Sequence, residues 1–583
     1  MIFNKPLSVA TYLLAAMTIP TPVGASLIGI CCPQSQVWPE YGFFPQGVTQ
    51  WEDAVVTGYC DLDPDDGTFV DFNGRDHTYD GHFGHDCAIR GFDEQNIGVP
   101  VFAVMDGTVI EVLDGHDDRN LNGGPTYPVN IVKLDHGNGL WTRYIHLKKW
   151  STTVVLGQYV KAGQQIGQTG SSGSSLWPHL HFESRMNGEF FEPNAGPFRP
   201  GPSNWLNQIP AQYDFAMWDA NLGPQQVAGW AGPPFEFIRR GTYSLGSQNV
   251  IAEYLMRNLP ANSTWQRIVR DPTGAIRQNS GVVPFGNPTV VKRRALFNGA
   301  NPVNLNMVGT WTVDLRINGA SKVVLPFKVV ATPAEIVNRP PNPFHAELEP
   351  ITPDVDLPVF CRVKGDLIFD DPDYDVVRYR YLWKVDGLVV RDMVSAGRAD
   401  CIPHESLVSG KKVECIVTPS DGVQDGQSVT ATVREAVGSV IARVGTVDGG
   451  AREVRFNDDR KLVAQPGPAE DLFATPIILD FIGESHASSV GSIKFTMDSR
   501  VQGTLARQTV SLIDNELGDW VEIDNRTVGD PEESVSYLAA TDPARFIGPG
   551  GEIRARVMYL RIGPPTFEPW SAEIDQVQWA TAP

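Results

Sequence analysis

The chain has 583 residues, a length that predicts about four domains rather than one large core. Its 47 Lys and Arg stand against 68 Asp and Glu, and the net charge of −21 argues against electrostatic capture of nucleic acid or of an anionic membrane. Hydrophobic residues make up 42% and aromatic residues 10% of the chain, which excludes intrinsic disorder as its general state.

The N-terminus has the pattern of a signal peptide. Lys5 precedes an apolar run from Leu7 to Met17, and Val23-Gly24-Ala25 supplies the small residues that signal peptidase reads. The run is shorter than the roughly 20 residues that a membrane-spanning helix needs, and no later segment is long and apolar enough to span a bilayer. We therefore predict a signal peptide at residues 1–25 and a secreted or periplasmic protein without a membrane span.

Residues 26–77 are predicted to form an N-terminal extension or prosegment, which contains Cys31, Cys32 and Cys60. Seven cysteines in the whole chain are too few for a disulfide-dense scaffold and fit an exported protein with one or two disulfides. Because the total is odd, at least one thiol stays unpaired. Cys87, farther along the chain, is expected to be either buried or bridged to Cys60.

Histidine is unevenly distributed along the chain. Eight of the eleven histidines fall between residues 77 and 181, and two short segments stand out, HFGHD at residues 82–86 and PHLHFE at residues 178–183. Side chains alternate between the two faces of a strand, so His179 and His181 project side by side from one face. Clustering of this kind indicates a metal-binding or acid–base site.

The residues around these histidines favour zinc. His82 and Asp86 share a face if their segment is extended, and Gly84 between them allows close backbone approach. Leu180 and Phe182 are predicted to enter the buried face. Two imidazole nitrogens and one carboxylate oxygen form a set that zinc accepts while a fourth position stays open for water, which zinc makes nucleophilic near neutral pH. Spacing alone leaves open which histidine of the HLH segment binds the metal.

Several strand-like runs with glycine turns separate the two segments: GVPVFAVMDGTVI from Gly98, VNIVKLDHG from Val129, WTRYIHL from Trp141, GQYVKAGQQIG from Gly157 and GSSG from Gly170. In this order and spacing, residues 78–192 resemble the lysostaphin-like, LytM-type zinc metallopeptidases of peptidase family M23. The resemblance implies a compact, mostly antiparallel β fold with a narrow groove, a bound Zn²⁺ and hydrolysis of peptide bonds in peptidoglycan cross-links.

The resemblance also implies a role for each site residue. His82, Asp86 and His181 correspond to the zinc ligands, and His146 and His179 correspond to the pair that orients water and stabilises the oxyanion. Family members that only regulate other hydrolases typically lose ligands, whereas all five expected residues are present in this chain. The complete set therefore favours an enzyme.

The segment departs from the family pattern at two places. His85 lies inside the first motif, and a bulky Leu-Trp-Pro sequence that includes Trp177 precedes HLH where small residues are commoner. Trp177 either borders the groove and alters substrate choice or only packs. As a prosegment, residues 26–77 would lie over the groove with Cys31 or Cys32 at the open zinc position, although disulfide formation is the commoner fate of such cysteines.

Proline-rich segments divide the rest of the chain. Two such segments are EPNAGPFRPGP, which begins at Glu192, and RPPNP, which begins at Arg339. Neither can continue a strand or a helix, so we predict linkers at residues 193–220 and 333–345.

Residues 221–332 are predicted to form a basic β-sandwich domain. They carry 12 Lys and Arg against four acidic residues, so their net charge is +8 and that of the remaining chain is −29. This basic module either grips an anionic envelope polymer or a neighbouring domain, or it is a solvated surface.

Residues 346–436 resemble an immunoglobulin-like domain. Trp383 lies between Cys361 and Cys415, as in the inter-sheet disulfide that packs on a buried tryptophan. The acidic run at residues 370–375 is interpreted as a turn, with a calcium site as the alternative.

Residues 437–583 are predicted to form a jelly-roll-like β-sandwich, a fold used in carbohydrate binding, so envelope polysaccharide is a candidate partner of the C-terminal domains. The acidic repeats that begin at Asp61 and Asp118 resemble the start of a calcium-binding loop but lack the glutamate expected at its twelfth position.

The predicted fold class is mostly β and multidomain. An antiparallel β metallopeptidase domain is followed by β-sandwich, immunoglobulin-like and jelly-roll-like domains.

The preferred functional hypothesis is an exported zinc endopeptidase that hydrolyses peptide bonds in peptidoglycan cross-links. Two alternatives remain open at this point. One is a non-catalytic murein-binding or hydrolase-activating adhesion protein, and the other is a secreted protease that acts on proteins.

Overall fold

β-strands form almost all of the regular structure, which confirms the predicted mostly β, multidomain fold. The computed structural model describes residues 39–120, 127–224, 238–291, 295–349, 357–403, 413–431, 434–451, 453–454, 461–467, 476–484, 490–562 and 569–582. The predicted signal peptide, Cys31 and Cys32 lie outside the described residues. Within the described residues, no helix is both long and apolar enough to cross a membrane.

Within its described residues, the first domain contains ten strands and one short helix. Their bounds are β1 Ala54–Gly58, β2 His85–Ile89, α1 Phe92–Ile97, β3 Pro100–Phe102, β4 Gly107–Leu113, β5 Ile131–Gly137, β6 Leu140–Ile145, β7 Tyr159–Val160, β8 Gln165–Gln168, β9 His179–Met186 and β10 Glu189–Phe190. The main sheet has the strand order β1-β2-β9-β6-β5-β4-β7, with β10 paired to β9, and β3 and β8 form a separate two-stranded sheet. All of these pairings are antiparallel.

The core of the first domain follows from the alternation in β9. Leu180 and Phe182 are buried in a cluster with Val132, Leu134 and Tyr144 from the neighbouring strands, as the sequence pattern predicts. The histidines of β9 therefore project from the opposite face of the sheet.

Segments on both sides of residues 78–192 complete this domain. β1, which lies in the predicted extension, pairs with β2 and covers what would otherwise be an open sheet edge. Tyr41 and Trp205 form a bridge to each other, and both pack in the core of the first domain. Residues on both sides of the predicted boundaries therefore contribute to the main sheet or its core.

The described part of the second domain contains nine strands: β11 Ala216–Gly223, β12 Thr242–Ser244, β13 Asn249–Arg257, β14 Thr264–Arg270, β15 Ile276–Asn279, β16 Val283–Pro284, β17 Ala295–Pro302, β18 Gly309–Ile317 and β19 Ala320–Val330. They form one sheet in the order β11-β13-β17 and another in the order β12-β19-β18-β14-β15, with β16 paired to β14. β11 begins four residues before the end of the predicted linker.

Strand β13 is buried on both faces. Tyr254 and Met256 point into the core of the second domain, whereas Leu255 between them joins a cluster that also contains Trp218 of β11 and residues of the first domain. A strand covered on both sides is expected to lack polar alternation, and VIAEYLM fits that expectation. The first and second domains are therefore packed directly against each other.

The third domain contains β20 His345–Glu349, β21 Val359–Lys364, β22 Arg378–Val385, β23 Leu388–Ser395, β24 Ala399–Ile402, β25 Val413–Ser420 and β26 Val429–Thr430. Two sheets, β20-β21-β24 and β23-β22-β25-β26, enclose a core around Trp383. Phe360 of β21 packs against Phe43 of the first domain, with ring centroids 4.9 Å apart, and the Arg398 amide donates to buried Asp53 at 2.7 Å. The third domain therefore also lies against the first.

The fourth domain contains β27 Arg434–Val444, β28 Thr446–Asp448, β29 Leu462–Gln465, β30 Ile477–Glu484, β31 Ser492–Gln502, β32 Leu505–Asp514, β33 Asp519–Val528, β34 Glu533–Ala539, β35 Glu552–Ile562 and β36 Ser571–Ala582. These ten strands, counted over the residues that the structure describes, are connected as β28-β29-β36-β27-β30-β35-β32-β33, with β31 paired to both β34 and β36. Short 3₁₀ helices lie within the fourth domain at Pro543–Phe546 and Pro549–Gly551, and another lies between the second and third domains at Pro333–Glu335.

The cysteines differ from the sequence expectation. The five described cysteines, Cys60, Cys87, Cys361, Cys401 and Cys415, are all buried free thiols. The disulfide between Cys361 and Cys415 that the immunoglobulin-like pattern suggests is therefore not formed, although both cysteines lie in one core with Trp383. Of the two expectations for Cys87, the structure shows burial and not a bridge to Cys60.

Candidate active site

Strand register brings the predicted site residues to one place on the main sheet. Asp86 of β2 lies opposite His181 of β9, and on the other side of β9 the same histidine lies opposite Ile145 of β6. His146 follows β6 directly and has a positive φ of 62°, a conformation that turns the chain at the strand end. His82 lies in the loop just before β2.

Three side chains converge as potential metal ligands. Nε2 of His82 lies 3.2 Å from Nδ1 of His181, and Oδ1 of Asp86 lies 2.8 Å from that Nδ1 and 3.1 Å from that Nε2. A tetrahedral zinc ion with ligands at about 2.0–2.1 Å separates its ligand atoms by about 3.3 Å. The spacing and chemistry of the three donors therefore fit zinc.

Hydrogen bonds behind the two imidazoles set which nitrogen faces this centre. Nδ1–H of His82 donates to the carbonyl oxygen of Tyr59 at 2.6 Å, and Nε2–H of His181 donates to Oε1 of Glu183 at 3.3 Å. Because a carbonyl and a carboxylate only accept, the lone pairs of both imidazoles face Asp86. Two lone pairs and a carboxylate oxygen this close together require a cation between them, either a proton or a metal ion.

The electrostatics of the centre agree with that requirement. Burial lowers the pKa of His181, but hydrogen bonds to Asp86 and Glu183 outweigh burial and raise it to about 9. Burial raises the pKa of Asp86, but the neighbouring His82 and His179 hold it well below its usual range. In the metal-free protein a proton therefore occupies a position that a divalent cation can take over.

His146 and His179 lie beside this centre. Their ring centroids are 4.5 Å apart, and Nε2 of His179 lies 3.5 Å from Oδ1 of Asp86. Nδ1–H of His146 donates to the Ser172 carbonyl at 2.7 Å, and Nδ1–H of His179 donates to the Trp177 carbonyl at 2.8 Å, which leaves each Nε2 as a proton acceptor. Burial and the neighbouring histidines lower the pKa of His146 to about 3, so it is neutral at physiological pH.

Gly84 allows the close approach that the sequence suggests. A Cβ at this position would lie 2.5 Å from the carbonyl oxygen of Phe182 and 2.8 Å from Nε2 of His181. Any side chain at residue 84 would therefore push the loop of His82 away from β9.

Sequence reasoning missed two side chains that contact the candidate metal ligands. Glu183 lies two residues after His181 on the same strand face, and that period of two could have revealed it. Tyr79 stacks on His82 at 4.2 Å and places its hydroxyl 3.4 Å from Oδ2 of Asp86. Tyr79 lies in a loop, where no periodic pattern signals its position.

His85, the first departure from the family pattern, belongs to a second buried group with Cys60 and Glu192. Oε1 of Glu192 accepts hydrogen bonds from Nε2 of His85 at 2.7 Å and from the Asn194 amide at 2.8 Å, and its Oε2 accepts from the Cys60 amide at 3.1 Å. The atom types of this trio could also bind a metal. Both carboxylate oxygens are already hydrogen-bonded, so the group ties the ends of the domain together as it stands.

Trp177, the second departure, packs. Its side chain is buried and its Nε1–H donates to the Ile89 carbonyl at 2.7 Å, while the preceding Leu176 is exposed.

In the two calcium-like repeats, the aspartate carboxylates accept hydrogen bonds from backbone N–H groups. Asp61 accepts from the amides of Asp63 and Val70. Asp118 accepts in the same way from Lys149 and Ser171, and Asn122 and Gly123 of its repeat lie outside the described residues.

Comparisons with known proteins concern this domain. Residues 88–193 match the model of peptidase family M23, a stretch that contains His146, His179 and His181 and begins just after Asp86. Lysostaphin of Staphylococcus staphylolyticus is 40% identical over 92 residues, which are 16% of this chain and 17% of that protein. Peptidoglycan DD-endopeptidase ShyA of Vibrio cholerae is 38% identical over 92 residues, which are 16% of this chain and 19% of that protein.

Among solved structures, the catalytic domain of the antimicrobial peptidase lysostaphin from Staphylococcus simulans is 28% identical, with 24% of this chain and 89% of that chain covered and a TM-score of 0.17. The chain spans less than a fifth of the length of the two curated relatives. Within these bounds the family match agrees with the predicted resemblance, and residues 88–193 form a domain of peptidase family M23.

Proposed function

We propose that this protein is a zinc-dependent endopeptidase that hydrolyses peptide bonds in peptidoglycan cross-links. The observation that carries the proposal is the convergence of His82, Asp86 and His181, whose donor atoms all lie within 4.8 Å of one another, beside two further histidines. Similarity to ShyA, a peptidoglycan DD-endopeptidase, supports this choice of substrate.

His82, Asp86 and His181 would hold the zinc ion, which would supply a Lewis acid for the scissile carbonyl and an acidified water as nucleophile. The protein's own contribution is proton transfer and charge stabilisation. Nε2 of His146 or of His179 can accept the proton of the attacking water, because the Nδ1 of each is already used as a donor. The imidazolium formed in this way then supports the tetrahedral oxyanion and protonates the leaving amine.

Digestion of purified murein by the full mature chain tests the proposal. The wild type should release peptide fragments whose masses report the bond cleaved, a chelator should stop the release, and added zinc should restore it. His181→Ala should release none, whereas His136→Ala, in β5 and hydrogen-bonded to the Asp106 carbonyl away from the centre, should stay active. Equal release by wild type and His181→Ala would refute the assignment.

The alternatives give distinct results in the same assay. An adhesion or hydrolase-activating protein would bind murein without releasing peptides. A protease that acts on proteins would cleave a protein substrate with the same chelator sensitivity and leave murein intact.

We also propose that the protein is exported, on the basis of the signal-peptide pattern at residues 1–25. N-terminal sequencing of the mature protein should begin near Ser26, and an intact Met1 on the active protein would contradict export by cleavage. Inhibition by the extension and polysaccharide binding by the C-terminal domains stay predictions.

A further inference from the structure

The segment before the catalytic histidines is anchored to a neighbouring domain. The indole of Trp177 is buried in one cluster with Trp218 of β11 and Leu255 of β13, both from the second domain, and with Val55 and Ala88 of β1 and β2. Through this cluster the second domain packs on Trp177, two residues before His179.

The backbone carbonyl of Trp177 is hydrogen-bonded to a catalytic histidine. The carbonyl oxygen of Trp177 accepts a hydrogen bond from Nδ1–H of His179 at 2.8 Å and another from the Ser175 hydroxyl at 2.8 Å. This hydrogen bond keeps the proton of neutral His179 on Nδ1, so the unprotonated Nε2 faces Asp86. Movement of Trp177 would therefore move the acceptor that orients His179.

Buried charges fix the second domain at the same place. Arg90, which follows β2, pairs with Glu94 at 2.7 Å and lies 3.8 Å from Asp219 of β11, and Asp219 also pairs with Arg239 at 2.9 Å. The Ile89 amide, one residue earlier, donates to the Pro178 carbonyl at 3.2 Å. The ionic and apolar contacts of the second domain thus meet at the end of β2 and at the start of β9.

We infer that the second domain is a positioning element for catalysis: Trp218 and Leu255 hold Trp177, and the Trp177 carbonyl holds His179 in its catalytic orientation. This inference rests on the proposed function. It also gives a physical reason for a bulky residue at position 177, because a small side chain there would leave the second domain without its anchor. A displacement of about 1 Å at a catalytic group can lower the rate about 100-fold.

The test compares variants of the full mature chain on soluble murein peptides. Trp218→Ala should lower kcat at least tenfold, with KM within twofold and one zinc still bound per chain, and Trp218→Phe should recover most of the loss. Met256→Ala is the matched control, because Met256 is equally buried in the same domain but faces its core. Its kcat should stay within twofold of wild type. If Trp218→Ala does not fold, Leu255→Ala replaces it with the same expected pattern.

A second readout does not depend on activity. Long-range ¹H–¹⁵N spectra of ¹⁵N-histidine-labelled protein report which ring nitrogen of His179 carries the proton, with assignment by a His179→Gln variant. The wild type and Met256→Ala should show the Nδ1–H tautomer, and Trp218→Ala should show a mixture. Unchanged kcat and tautomer in folded Trp218→Ala, or an equal loss in Met256→Ala, would overturn the inference. A wild type inactive on murein that shows the predicted tautomer pattern would refute only the proposed function.

Discussion

Gly84→Ala is the smallest change that should weaken the metal site without removing a ligand. The added Cβ would lie 2.5 Å from the Phe182 carbonyl oxygen and 2.8 Å from His181 Nε2, whereas ordinary contacts begin at about 3.4 Å. The loop and β9 must therefore separate by roughly 0.6–0.9 Å, several times the tolerance of about 0.2 Å for metal–ligand distances. Overpacking of this kind also costs about 1–3 kcal/mol of stability.

We expect zinc affinity to fall at least as much as it does when an outer partner of a ligand is lost, about 10- to 100-fold. Competition with a chromophoric chelator measures the affinity, and thermal unfolding measures the loss of stability. Gly438→Ala is the control, because its added Cβ would meet only the Ile482 carbonyl, at 3.6 Å. Wild-type zinc affinity in Gly84→Ala would refute the geometry described for the site.

Three further predictions concern buried groups. His85→Ala should destabilise the protein by about 3–5 kcal/mol in chemical denaturation, because it leaves the Glu192 carboxylate buried without its imidazole partner; a loss below 1 kcal/mol would contradict this role. Burial lowers the pKa of His181 but its carboxylate neighbours raise it to about 9, so the stability it gives the metal-free protein should be complete below about pH 6.5 and lost as the pH rises to about 9. A stability difference between metal-free wild type and His181→Ala that does not change with pH would exclude this linkage. Cys361 and Cys415 should both take up a thiol label after unfolding without reductant, and a disulfide-linked peptide in the mass map would show the opposite.

The site could be predicted well where local rules determine it. Alternation along β9 placed His179 and His181 on one face and Leu180 on the other, because the strand period does not depend on the rest of the fold. The spacing of His82 and Asp86 also indicated a shared site. Only the family resemblance assigns His181 rather than His179 as the candidate metal ligand, since that choice depends on partners such as Glu183 that hydrogen-bond behind the ring.

The rest depends on contacts between distant segments, which spacing does not encode. Glu192 reaches His85 across more than a hundred residues, and Trp177 shares a buried cluster with Trp218 because the second domain packs against the first. β1 also lies outside the predicted bounds 78–192 for the same reason, since it joins the sheet by pairing with β2, a strand distant in sequence. Composition also indicates an excess of basic residues in the second domain. Arg239, one of these basic residues, is nevertheless buried and paired with Asp219.

X-ray absorption at the zinc edge of the purified full mature chain tests the central claim most directly. One zinc per chain should be surrounded by nitrogen and oxygen alone, at about 2.0–2.1 Å, with the scattering pattern of two imidazoles that is lost in His82→Ala or His181→Ala. A sulfur ligand at about 2.3 Å would place the metal at the Cys60, His85 and Glu192 group instead. That result, or a protein that retains no zinc, would contradict the account.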